Sequence, residues 1–361
     1  MHAKTRTRTQ IFPKIRRLHA WTGLTLSLIL MTLSLSGVLL IFKDDYLRLS
    51  FPEARVDVAS SPAELGEAME AIEATFGADN ISYVSLARPS FGLHHVVLRS
   101  DEAAYVSQGG AVIERWQPHD RIEDWIFHLH HYLFLGEFGK YLAGAVGLCA
   151  MLMALSGIYL VWPFLQKFRL RALPQSLKRR DLLAYHRNTG IALSIPILLA
   201  LLTGAAMVFY AQASYLLLAV TGSNQTPSIR PGATAGDIYW PTALQEAKQL
   251  LPDATPRLVI WPRSDASPAT VRVRSVGEWH QNGRTLAYVD PATSTVLATQ
   301  DAMKLTLGER AANAIYPLHS TGIGGRMYDA LMALAGIALT LITLFSSMSY
   351  LKLIRSRRLP L

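Results

Sequence analysis

Four stretches of this 361-residue chain run without a charged side chain for long enough to cross a bilayer as helix. They are Ala20 to Phe42, Tyr141 to Gln166, Asn188 to Ile229 and Ala330 to Leu351, against the roughly 20 apolar residues that span about 30 Å of hydrocarbon. Because lipid offers no hydrogen bonds to an open backbone, such runs are confined to helices packed in a bundle. Half of the residues are hydrophobic and only 17% charged, too apolar for a chain lying wholly in water. The third run exceeds one helix, so its span is expected to end near Gln212, with the remainder, through Thr221-Gly222-Ser223-Asn224, as an exit loop. Pro196 predicts a kink within it. The first run follows a basic segment, as a signal peptide would, but it is longer than a signal core and lacks a small-x-small cleavage site, so it is expected to be retained.

The charges divide around these spans. Residues 1–18, the segment after the second span and the tail hold 17 basic residues against one acid, Asp181, while the two long loops hold 18 basic and 25 acidic residues. Net charges of +16 and −7 make up the overall +9, and the positive-inside rule then puts both termini in the cytoplasm. A basic chain of this kind could suggest nucleic acid, but here the basic surface is a topology signal facing the lipid bilayer, and no nucleic-acid partner is expected.

Each long loop reads as a helix followed by strands. In the first, Ser61 is placed to cap a helix that opens on Pro62 and runs to about Phe76. Strand-like runs follow at Ile81 to Leu86, His94 to Arg99, Ala103 to Ser107 and Ala111 to Arg115. In the second, a helix near Thr242 to Leu251 precedes strands at Leu258 to Trp261, Thr270 to Arg274, Thr285 to Val289 and Thr295 to Ala298, the last hairpin turning at Asp290-Pro291-Ala292-Thr293. The two halves thus repeat in the same direction, which implies a pseudo-two-fold axis along the membrane normal. The expected organisation is a basic tail (1–18), span 1 (19–42), an outer module (43–126), an outer histidine segment with span 2 (127–165), and a basic loop (166–181). It continues with span 3 (182–212), a second outer module (213–318), a second histidine segment with span 4 (319–351) and a basic tail (352–361).

Histidines mark the span ends, where ionisable side chains are uncommon and often functional. His19 and His186 lie near the cytoplasmic ends of spans 1 and 3, each followed 18 residues later by a glycine, Gly37 and Gly204. Eighteen residues is five helical turns, so each histidine shares a face with its glycine, where a flat group or another backbone can approach. His130 and His319 precede spans 2 and 4 at the outer boundary, with His128 and His131 as competitors for the place of His130. Two imidazoles from facing helices can bind both faces of a haem. Pairing by depth puts His19 with His186 and His130 with His319, each ring keeping its other nitrogen for a carbonyl or hydroxyl partner that the sequence does not identify. The single cysteine, Cys149, excludes covalent haem attachment, a cysteine-held iron-sulfur cluster and an internal disulfide. No Gly-x-Gly-x-x-Gly follows a strand, so a nucleotide or flavin domain is not expected.

At these positions the chain resembles the PepSY-associated transmembrane family of bacterial inner-membrane proteins, which includes iron-regulated proteins and ferric-siderophore reductases. The matching residues are His19-Ala20-Trp21-Thr22-Gly23, the stretch Leu129 to Gly139, Ser156-Gly157 with Leu160 and Trp162, His186-Arg187 with Thr189-Gly190, and Leu318-His319-Ser320. In the fourth span Ser346-Ser347 replaces the Ser-Gly or Thr-Gly of the other three. The resemblance implies four transmembrane helices as a parallel two-fold repeat, two periplasmic α/β PepSY-like modules, and two haem b groups held by His19, His186, His130 and His319. It also implies reduction of a ferric siderophore at the outer face, with a quinol or a cytoplasmic reductant as donor. Rival expectations are a haem carrier between quinol and another periplasmic acceptor, and a binder or regulator of a peptidase anchored by its spans.

Overall fold

The computed structural model describes residues 2–58, 61–169, 173–229 and 231–358. In chain order its elements are α1 (His2–Ile41), α2 (Lys43–Ser50), α3 (Pro62–Phe76), β1 (Ile81–Ser85), β2 (His94–Leu98), β3 (Ala103–Val106), β4 (Val112–Trp116), α4 (Ile122–Tyr132) and α5 (Gly136–Val161). The second half holds α6 (Arg179–Ala192), α7 (Ser194–Val208), α8 (Tyr210–Thr221), α9 (Trp240–Leu250), β5 (Thr255–Ile260), β6 (Ala269–Arg274), β7 (Thr285–Val289), β8 (Val296–Gln300), α10 (Leu307–His319) and α11 (Gly325–Arg358). The elements fall into two compact units, one formed by 1–41, 126–210 and 318–361, the other by 42–125 and 211–317.

In the first unit, Ile11–Ile41, Gly136–Gln166 and Gly325–Ile354 are each long and apolar enough to cross a membrane. Arg179–Ala192 and Ser194–Val208 meet the same test only together, as a pair bent by 73°, the form of a broken span or a re-entrant loop. The break is far sharper than the kink expected from Pro196. It falls at Leu193, because Pro196 has no N–H for the carbonyl of Ala192 and its ring crowds that carbonyl. The helices pack as a ring in the order α1, α5, α7, α11, with α6 also against α5 and α11. Inside the ring, Leu30, Val146 and Ala150 form one apolar cluster, and Tyr185, Ile197, Ala335 and Ile342 another. The exit loop expected after Gln212 begins later. Residues 210–221 form α8, and the chain leaves the helix at Gly222, whose φ of +63° suits glycine.

The second unit differs more from expectation. The two loops do not build separate sheets; their strands join in one eight-stranded antiparallel sheet of order β4-β3-β2-β1-β5-β6-β7-β8. The seam is β1 against β5, with Tyr83, Val84 and Ser85 opposite Ile260, Val259 and Leu258. Strand positions otherwise follow the alternation in the sequence, and Ser61 caps α3 by accepting from the N–H of Glu64 at 3.2 Å.

One core unites the halves. Met69, Ile72, Val84 and Val96 of the first half pack in the same cluster as Trp240, Leu244, Val259 and Val271 of the second. Glu73 on α3 accepts from the indole N–H of Trp240 at 2.6 Å and from that of Trp261 at 3.2 Å. Burial raises the pKa of Glu73 above the usual carboxylate range, and the two indoles oppose that shift. Trp240 is completely buried, so Trp240→Ala should cost about 3–5 kcal/mol through lost contacts and a cavity. A fall in the melting temperature of the whole protein would register it; an unchanged transition would mean that the halves are not held through this core.

Candidate functional site

Each half of the first unit presents two histidines from different elements. His19 lies on α1 and His186 on α6, while His130 closes α4 and His319 ends α10. Behind His130 and His319 the chain reverses tightly: Leu133, Phe134 and Gly136 take positive φ at the entry to α5, and Thr321, Gly324 and Gly325 do so at the entry to α11. These turns set His130 and His319 on short helices of their own, aimed back at the bundle.

The structure brings the four rings together as two pairs. The ring centres of His19 and His186 are 5.9 Å apart, with their planes near perpendicular at 89°. Those of His130 and His319 are 6.1 Å apart, with planes 33° from parallel. His131 is drawn elsewhere: its Nδ1 lies 3.0 Å from the carbonyl of Phe127 and its ring stacks on that phenyl at 3.9 Å. His128 packs against Tyr132. Of the three neighbours, the ring that faces His319 is therefore His130.

Every one of the four has a hydroxyl on Nδ1, each from a different span. Ser156 of α5 meets His19 at 2.9 Å, Ser36 of α1 meets His130 at 3.1 Å, Thr203 of α7 meets His319 at 3.1 Å and Ser346 of α11 meets His186 at 2.7 Å. Ser36, Ser156 and Thr203 give their own protons to the helix carbonyls of Thr32, Met153 and Leu199. Their oxygens are thus left to accept from Nδ1–H. The carbonyl of Leu33, 3.0 Å from His130 Nδ1, can only accept and demands the same tautomer. An imidazole protonated on Nδ1 keeps its lone pair on Nε2, the form in which histidine binds a metal.

Glycines stand beside three of these hydroxyls and let the rings in. A Cβ at Gly37 would lie 2.9 Å from His130 Cε1, one at Gly204 2.8 Å from His319 Cε1, and one at Gly157 3.3 Å from His19 Cε1. In the fourth span Ser347 occupies the corresponding place, yet its neighbour Ser346 makes the shortest of the four contacts. The equal 18-residue spacing from His19 to Gly37 and from His186 to Gly204 has a different meaning in each half. Along the unbroken α1 it places two levels on one face, whereas the break at Leu193 separates the levels in the second half. In both, the group that approaches the glycine is a histidine of another helix, His130 at Gly37 and His319 at Gly204.

The hydroxyls were not identified as partners from sequence, although the Ser-Gly and Thr-Gly pairs were visible as places of close packing. Ser36 and Thr203 stand 17 residues after His19 and His186, a repeat that marks them once the pairs are known.

Two imidazoles held across one iron, with metal–nitrogen bonds of about 2.0 Å, put ring centres roughly 6 Å apart, so both observed separations fit axial ligation. Among the described residues no group of three or more His, Cys, Asp or Glu side chains gathers as a metal site. Each histidine pair therefore offers two imidazole donors and no third protein ligand of these types among the described residues.

Ringed apolar helices with paired histidines inside define a multi-pass membrane protein set in a lipid bilayer, with an antiparallel sheet as its second unit. The family model described as the PepSY-associated TM region matches residues 16–352, and the chain belongs to that family. No curated protein matched the chain.

Proposed function

We propose that the protein is a dihaem b reductase of the bacterial inner membrane that passes electrons from the cytoplasmic to the periplasmic face and reduces a ferric siderophore, releasing iron(II). In this reading the chain crosses the membrane four times as a parallel repeat, both termini are cytoplasmic, and the sheet carries two PepSY-like halves in the periplasm. His19 and His186 hold one haem, and His130 and His319 the other. The observation that carries the reading is the set of four Nδ1–hydroxyl bonds, which orient each ring and, at His19, His130 and His319, fix its tautomer. A plain anchor has no use for four histidines in that state.

Haem bound at both levels supplies one-electron carriage across the bilayer. Ser36, Ser156, Thr203 and Ser346 would hold the four imidazole rings against rotation, which would limit reorganisation when charge moves. The donor is a quinol or a cytoplasmic reductant; a quinol, giving two electrons and two protons, balances the reduction of two iron(III) to two iron(II). The hard oxygen ligands of a siderophore hold iron(II) less firmly than iron(III), so the gain of one electron frees the metal. A visible spectrum of the purified protein, oxidised and dithionite-reduced, tests this: two low-spin b-type haems per chain are expected. A colourless protein after expression with ample haem would sink the reading.

A further inference from the structure

The half of the sheet built by the second loop carries a group of arginines that the histidine pairs do not involve. Val271 and Val273 of β6 point into the core shared with α3 and α9, so Arg272 and Arg274, alternating with them, lie on the opposite face. Arg257 falls at the irregularity of β5 between Pro256 and Leu258, where β5 pairs with β6, and Arg284 immediately precedes β7 on the other side of β6. All four are half-buried. Burial, then the neighbouring Arg284, pushes the pKa of Arg272 down to about 10; burial, then Arg274 and Arg88, lowers that of Arg257.

Few anions answer these cations. Arg272 donates to the carbonyl of Gly283, and Arg274 to the carbonyl of Glu278 at 3.0 Å. The Nε atoms of Arg257 and Arg284 are buried without a hydrogen-bond partner. Arg88, at the edge of the group, is paired with Asp44 at 2.9 Å and reaches Gln281 at 3.3 Å. Glu278 is the acid that acts on Arg272. Its Oε2 accepts from the N–H of Ser275 at 3.1 Å, its Oε1 is unpartnered, and among the described residues it makes no ion pair with the four. The group is not a by-product of a strongly basic loop, because residues 213–318 hold nine basic and eight acidic side chains. Four half-buried guanidinium groups crowded around a single carboxylate that pairs with none of them are costly unless a further anion completes them, and their planar forks match carboxylate oxygens in pairs. Beside them, His280 stacks on Tyr316 at 4.7 Å, and Tyr316 stands three residues before His319 on α10.

We propose that Arg257, Arg272, Arg274 and Arg284 form a binding site for a ligand bearing several oxyanion groups. The identity of that ligand as a negatively charged iron(III) chelate rests on the reductase reading above; the binding itself does not. Substrate choice by charge follows: anionic, carboxylate-rich chelates are favoured and cationic ones rejected.

The test is equilibrium dialysis of the full-length protein in phosphatidylcholine nanodiscs with gallium(III) citrate, an anionic chelate whose metal is not reduced. Saturable binding is expected, weakened tenfold or more in the R272Q/R274Q double variant and severalfold in R257Q. The positively charged gallium(III) complex of desferrioxamine B should bind at least tenfold more weakly. Equal binding of the cationic chelate would overturn the proposal, as would unchanged binding in R257Q and the double variant. Should the double variant lose its fold, R257Q decides alone. Loss of gallium citrate binding in phosphatidylglycerol discs would assign the site to a lipid headgroup and overturn the chelate. Since gallium is read without electron transfer, a haem-free protein would fail the reductase reading while this titration still gave its own answer.

Discussion

Replacing His186 with Ala should leave the purified protein with one haem in place of two, and His19→Ala should remove the same one. His130→Ala and His319→Ala should each remove the other. On the dihaem reading the two imidazoles of a pair would hold one iron between them, so removing either ring would open one haem and leave the second untouched. Pyridine haemochrome quantification against protein concentration would give the stoichiometry, and the reduced spectrum of each variant would show which haem remains. His131→Ala, a ring turned toward the carbonyl of Phe127, should keep both haems. Loss of both from one substitution, or of neither, would contradict the pairing.

Gly37→Val and Gly204→Val should empty the outer site almost as completely as removing its histidines. A Cβ at these positions comes within 2.9 Å and 2.8 Å of the His130 and His319 rings, closer than carbon atoms pack, and the branched side chain leaves no rotamer that avoids the ring. The ring must turn, which breaks its bond to Ser36 or Thr203 and misdirects Nε2. At Gly147, by contrast, an added Cβ meets the Ala205 Cβ at an ordinary 3.6 Å, so Gly147→Ala should retain both haems. Outer-haem content that survives both valine substitutions would show that the rings do not rely on these glycines for room.

Much of this arrangement was legible in the sequence because it rests on local rules. The spans follow from uncharged length, the strands from alternation, the α3 terminus from Ser61 and Pro62, and the pairing of histidines from their depth along the spans. What was not legible depends on elements far apart in the chain. The hydroxyl on His19 comes from 137 residues away and that on His186 from 160, so no spacing rule connects them. Pro196 announced a distortion, but its severity depends on how α6 and α7 pack against α5 and α11. The union of the sheets was hidden for a similar reason: β1 and β5 meet without a turn between them, and nothing in either strand names the other.

That union bears on how the protein is made. Val84 pairs with Val259, so during synthesis β1 waits for a partner that emerges only after α5 to α8, with their apolar stretches, have been made. For that interval the first four strands expose a bare edge with Tyr83 and Ser85 at its rim, open to pairing with the wrong chain. Closing the sheet is a long-range event, slow by the same reasoning that makes distant contacts slow in soluble domains. Efficient biogenesis would then depend on how quickly the helices between the two halves of the sheet insert, or on a chaperone that covers the edge. A truncation after the first half should yield an aggregating chain rather than a small stable protein.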